Sequence, residues 1–306
     1  MSSLILMFLC LSVGIAIKKL PNFPKNTHVV LNQFVLFISL PAMALYYLPE
    51  IKIGWDLLFP ASVAYIGFLF ALIIFVPLAK IFGWSKKLLG CLLLTAGLGN
   101  TSFVGIPIIQ ALYGDEGIKS LIIVDIPGTV VVLSSAGMLT AIACSKGKSN
   151  AKSILMNLIK FPPFIAFLFG LIMLGLNLHF PDSIREVFAK LMATVSPLAL
   201  VSVGFQLKIE RRSKHWKFLA LGLFYCLLIW PIVCFVIYCL GFQQTGIPIK
   251  VSIMEAAMPP MITGAILAVQ YGLKPRLANM MIGVGIPISF LTLAIWYFFL
   301  EWYLGV

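Results

Sequence analysis

Apolar runs of membrane-spanning length, separated by short polar or basic connections, fill this chain. Ten segments carry the pattern: 2–17, 29–48, 57–78, 88–113, 119–144, 161–178, 188–207, 216–240, 250–272 and 278–300. Most approach the ~20 residues that a ~30 Å hydrocarbon core requires of a helix. The first and sixth are shorter and are expected to tuck against neighbours. The expected fold is all-α and polytopic, with ten transmembrane helices.

Two segments differ from the rest. Leu88 to Tyr113 reads LLGCLLLTAGLGNTSFVGIPIIQALY, and Val251 to Tyr271 reads VSIMEAAMPPMITGAILAVQY. Each is long enough to cross a membrane, yet each is interrupted at its middle by Gly, Pro or Asn. A broken helix frees backbone N–H and C=O groups at membrane depth, and hydrocarbon cannot satisfy them. The breaks must therefore meet protein, water or a bound solute.

The two halves of the chain also resemble each other. Tyr113-Gly114 recurs as Tyr271-Gly272, 158 positions on. Asn22-Phe23-Pro24 recurs as His179-Phe180-Pro181, Pro41-Ala42-Met43 as Pro197-Leu198-Ala199, and Gly83-Trp84 as Gly241-Phe242, all at nearly the same offset. Pro127 in the fifth segment meets Pro287 in the tenth. Each half holds five spans, an odd number, so the second is expected upside down relative to the first. The division falls in the basic stretch from Ser145 to Lys160, giving repeats over 1–150 and 151–306. Interrupted segments at matching places in inverted halves point to the binding site of a secondary transporter.

Composition agrees with a membrane chain. Hydrophobic residues make up 61% and charged ones 10%, with mean hydropathy +1.06. A soluble domain carries about 25% charged residues. The net charge of +12 would suit a nucleic-acid partner, but its placement argues otherwise. Seventeen of the 22 Lys and Arg residues lie in the odd-numbered connections. The even ones hold only Lys52, Lys119, Arg185, Lys190 and Lys250. Positive residues mark the cytoplasmic side. Both termini are then extracytoplasmic, in a multi-pass protein of the cell (inner) membrane, and no nucleic-acid role is expected. No basic n-region precedes the first apolar run, which reads as a span rather than a cleaved leader. The six cysteines form no CxxC pair and read as free apolar thiols, with no metal or cofactor expected.

The chemistry sits at the breaks. Asn100, Thr101 and Ser102 are good N-cap residues, placed to open a half-helix near mid-membrane. The exposed N–H groups and positive dipole end of such a half-helix suit a carboxylate. Asn100 adds an amide donor, or simply caps the helix; both can hold at once. In the ninth span Pro259 and Pro260 free the carbonyls a turn earlier, and Thr263 follows. Two acids, Asp125 and Glu255, stand in apolar surroundings. Acids within a membrane are costly, so a coupling or gating role is the default reading for both, with a structural hydrogen-bond role as the alternative. Asn32, Gln33, Ser39, Ser196 and Ser202 read as helix–helix glue. Trp55, Trp84, Trp216, Trp296 and Trp302 read mostly as interfacial anchors.

The run from Asn100-Thr101 to Gly105-Ile106-Pro107, followed by Ala111-Leu112-Tyr113-Gly114, resembles the fourth span of the auxin efflux carrier family. Ala256-Ala257-Met258-Pro259 resembles its ninth. The resemblance extends over the whole chain and implies a fold similar to the bile-acid sodium symporters. In that fold the fourth and ninth spans cross at Pro107 and at Pro259 or Pro260. Spans 1–2 and 6–7 would form a scaffold and a homodimer interface, and spans 3–5 and 8–10 a transport domain that moves like an elevator. Asn100 matches the family asparagine that contacts the substrate carboxylate. The implied substrates are small organic anions, and the long hydrophilic loop of many plant members is absent. The reading is a bacterial permease for a small carboxylate, with H+ or Na+ as a possible coupling ion. A sodium symporter of the bile-acid type is the main alternative. A non-transporting receptor or an intramembrane enzyme belongs to other classes, and no HExxH or paired-acid motif supports the enzyme.

Overall fold

The computed structural model describes residues 2–51, 54–145, 160–206 and 215–305. The basic stretch in which the two halves were expected to divide lies mostly outside them. The described residues form eleven helical stretches. These are α1 (Ser2–Ile17), α2 (Thr27–Glu50), α3 (Leu58–Ile81), α4 (Lys86–Ala96), α5 (Thr101–Cys144) and α6 (Pro162–Gly175). They continue with α7 (Asp182–Gln206), α8 (Trp216–Gly241), α9 (Ile247–Ala256), α10 (Ile262–Gln270) and α11 (Pro275–Leu304). Six of them, α2, α3, α5, α7, α8 and α11, are long and apolar enough to cross a membrane. The only extended pairing among the described residues is one isolated bridge, between Gly99 and Pro260.

Local chemistry explains the interruptions. Ser85 caps α4, its hydroxyl accepting from the Leu88 N–H at 3.3 Å. The Gly97-Leu98-Gly99 run then ends α4. The second half of the fourth expected span and the fifth follow one another in the 44-residue stretch α5, as two helices that meet at a kink at Gly114. Gly114 has φ 59°, a conformation that a residue without Cβ adopts at little cost. The expected ninth span is two helices, α9 and α10, parted by the Pro259-Pro260 step.

Two groups of helices pack among themselves. α1 lies along α7, and α2 packs on both α6 and α7. Gly14 and Gly204 let α1 and α7 approach closely: a Cβ on Gly14 would lie 3.0 Å from the Gly204 Cα. Ser202 donates to Asn32 Oδ1 at 2.5 Å, and Ser39 pairs with Thr194 at 2.7 Å. Elsewhere α9 packs on α3, α5 and α8, while α10 packs on α4 and α11. The inner face of α8 is anchored by Trp230, Tyr225 and Tyr238, all buried. Leu69, Ile73, Leu291, Ile295 and Phe298 point outward, as side chains facing lipid do. Trp296, read as an interfacial anchor, is instead buried and donates its indole N–H to the Leu227 carbonyl at 3.0 Å. Trp55 and Trp302 are exposed. The cysteines are free thiols, all buried except half-buried Cys144.

Candidate functional site

The two breaks lie against each other. The Asn100 N–H donates to the Pro259 carbonyl at 2.8 Å, and the Met261 N–H donates to the Leu98 carbonyl at 3.1 Å. These bonds frame the Gly99–Pro260 bridge. Each unwound stretch thus satisfies part of the other's backbone, which is how irregular chain survives at membrane depth. The meeting involves Leu98 and Asn100 rather than Pro107. Proline has no N–H to offer, so the pairing falls to residues of the break itself. Pro107 is buried further along α5.

Asn100 has two roles divided between its two amide atoms. Its Oδ1 accepts from the Phe103 N–H at 3.2 Å and so caps α5. Its Nδ2 is buried with no hydrogen-bond partner. An unpaired buried donor costs about 1–3 kcal/mol.

Asp125 closes the next layer. Thr101 Oγ1 donates to Asp125 Oδ1 at 2.5 Å, and Ser102 Oγ donates to the same oxygen at 2.7 Å. All three residues are buried. The first turn of α5 winds as a π-helix over Thr101–Gly105, which sets both hydroxyls toward Asp125 further along the same stretch. Such windings are frequent at functional positions.

Glu255, in the last turn of α9, is fully buried, and neither carboxylate oxygen has a partner. Its carboxyl lies against the bare Cα of Gly105: a Cβ there would come within 2.5 Å of Oε1 and 2.6 Å of Oε2. The two acids therefore flank one turn of α5, Asp125 held at its Thr101 end and Glu255 at its Gly105 end. The floor is Trp230, whose indole N–H donates to the Val63 carbonyl at 3.2 Å. A Cβ on Gly99 would stand 3.4 Å from its ring.

Most of the residues singled out in the sequence gather here. Asn100, Thr101, Ser102, Asp125, Glu255, Pro259 and Pro260 are all buried around the meeting point. Thr263 stands half-buried on the first turn of α10. The sequence reading missed Gly105 as the seat of Glu255, and Trp230 as the floor. The only signal for Gly105 was its place in the Gly-Ile-Pro run, one turn after the cap. No group of three metal-ligating side chains lies among the described residues.

A family model described as membrane transport protein matches residues 1–151 and 148–297. The chain belongs to that family. It is the auxin efflux carrier family that the fourth- and ninth-span motifs resemble. An uncharacterized transporter of Methanocaldococcus jannaschii is 27% identical over 282 residues, covering 89% of this chain and 90% of the relative. An uncharacterized transporter of Methanothermobacter thermautotrophicus is 31% identical over 210 residues, covering 67% of this chain and 66% of the relative. As a member of this family the chain is a multi-pass membrane transport protein.

Proposed function

We propose that this transporter is a secondary carrier of small organic anions, with the substrate carboxylate bound where the two broken spans meet. The observation that carries the reading is the divided Asn100 amide, with Oδ1 engaged in capping and Nδ2 buried and unpartnered. A carboxylate oxygen supplies the missing acceptor beside a helix N-terminus. In this reading α1, α2, α6 and α7 are the scaffold, and the remaining helices are the moving body of an elevator. What supports the division is that each set packs chiefly within itself.

A coupled version rests on Glu255. A buried carboxylate with two unpartnered oxygens needs a positive counterpart, and a proton or a sodium ion would supply it. In this version Glu255 and Asp125 link ion occupancy to the π-helical turn between them.

The test is a current recording from proteoliposomes on a solid-supported membrane. The panel holds malate, malonate, succinate, lactate and indole-3-acetate, run across pH and with sodium or potassium. Asn100→Asp keeps an oxygen for the cap and removes the donor, whereas Asn100→Ala removes both. A saturable current lost in both variants is expected. A current that Asn100→Asp leaves intact would move the site away from the break.

A further inference from the structure

An apolar groove of about 280 Å³ lies between α1, α5 and α11, apart from the meeting of the broken spans. One wall is α1, through Phe8, and the other is α11, from Phe290 to Phe298. Ile108 and Leu112 of α5 form its back. The lining is aliphatic or aromatic throughout, with the Tyr297 hydroxyl as its one polar group. Ile5 and Leu9 of α1, and Leu291 and Ile295 of α11, are exposed on the same two walls, so the mouth opens onto the surface that meets hydrocarbon. Polar chemistry begins only past one end. Tyr297 packs edge-on against Tyr113 at 5.9 Å, Tyr113 donates to Glu301 at 3.3 Å, and Lys250 donates to the same carboxylate at 2.9 Å. Lys250 and Glu301 belong to the side of the even-numbered connections. The groove thus starts near the middle of α11 and runs to the polar layer on that side, which is the course of one chain of a leaflet lipid.

The dimensions choose the occupant. Phe290 to Phe298 is eight steps along α11, about 12 Å at ~1.5 Å each. Spread over that length, 280 Å³ gives a cross-section of about 23 Å². A helix about 10 Å across needs about 80 Å², so the groove is too narrow for a helix of a second copy. A groove about 5 Å across seats one hydrocarbon chain, since carbons in best van der Waals contact stand about 4 Å apart. Within a bilayer no hydrophobic force draws the chain in, and the gain is the dispersion contact that bare walls forfeit. We propose that the groove is a lipid site, holding one acyl chain of a phospholipid from the leaflet on the side of the even-numbered connections. The chain bridges α1 and the α5–α11 pair. In the elevator reading these are scaffold and moving body, and the chain is a wedge across their seam; its occupancy does not rest on that reading.

The test places the protein in proteoliposomes containing a phosphatidylcholine with a diazirine near the middle of one acyl chain. After irradiation, adducts are located by peptide mass spectrometry. No residue from Ile106 to Tyr113 is exposed, so an adduct on this stretch reports a chain inside the groove. Leu69 and Ile73 of α3 are exposed and report ordinary contact with bulk lipid. Adducts are expected at both places. Ala294 lines the groove and is itself exposed, so a larger side chain there can fill the groove without entering the core. Ala294→Phe should remove the adducts on Ile106 to Tyr113 and leave those on Leu69 and Ile73 at the wild-type level. Wild-type protein labelled at Leu69 and Ile73 but not on Ile106 to Tyr113 would overturn the site, whatever the variant does. Adducts on that stretch that Ala294→Phe leaves unchanged would overturn it as well. No arm involves a current, so the lipid site and the carboxylate carrier fail separately.

Discussion

At Gly105 one hydrogen atom in place of a methyl group decides where Glu255 sits. A Cβ at this position would occupy the space of both carboxylate oxygens. Gly105→Ala should therefore displace the acid and cost about 1–3 kcal/mol of stability, the usual penalty of overpacking. Adding Glu255→Ala should return most of that loss, read as the melting temperature in detergent. A double variant no more stable than Gly105→Ala would show that the clash lies elsewhere. Glu255→Gln alone should leave stability level or raise it, because it removes a buried carboxyl that has no partner in the fold. The same change should abolish any dependence of transport on pH or sodium. Asp125 stands in contrast, since Thr101 and Ser102 both donate to it. A hydrogen bond to a charged group is worth about 1.5–3 kcal/mol, so Thr101→Val should destabilise by that order. Of the two acids in one membrane site, the fold gives donors to Asp125 and none to Glu255.

At the scale of elements, the hydrophobic runs made the helical stretches among the described residues legible, because length and apolarity suffice where hydrocarbon is the solvent. The breaks were legible too, since Gly97-Leu98-Gly99 and Pro259-Pro260 cannot continue a helix. The partner of each break was not. That Asn100 would bond Pro259, and Met261 would bond Leu98, depends on backbone geometry that no side-chain pattern records. The π-helical turn at Thr101–Gly105 was hidden for the same reason. Ties between the two helix groups were likewise unreadable. Tyr47 of α2 donates to Asp115 of α5 at 2.8 Å, and Ser196 of α7 donates to Gln110 of α5 at 3.1 Å. Both bonds tie α5 to the other helix group. Tyr47→Phe removes a hydrogen bond worth about 0.5–1.5 kcal/mol between the groups, enough to shift a two-state population up to about tenfold. A reporter cysteine at half-buried Ala111 should then react faster with a water-soluble thiol reagent. An unchanged rate would mean that Tyr47 does not hold the two groups together.

The charge of the whole molecule is sorted by side. The odd-numbered connections hold seventeen basic residues and one acid, Glu210. The even ones hold five basic residues and six acids, among them Glu50 and Asp115, and Glu301 follows the last span on the same side. Several of these are paired locally: Arg185 with Glu50 at 3.3 Å, and Lys250 with Glu301 at 2.9 Å. The net positive charge is thus concentrated on the face of the odd-numbered connections. If the positive-inside rule sets the orientation, that face is cytoplasmic. Substituted cysteines decide this. Asn22 lies in the first connection and Thr245 in the eighth, both exposed. In intact cells a membrane-impermeant maleimide should label Thr245→Cys and spare Asn22→Cys until the membrane is opened. The reverse pattern would put the basic face outside. In the anion-carrier reading that face would then favour uptake rather than export, because a basic surface raises the local concentration of anions on its own side.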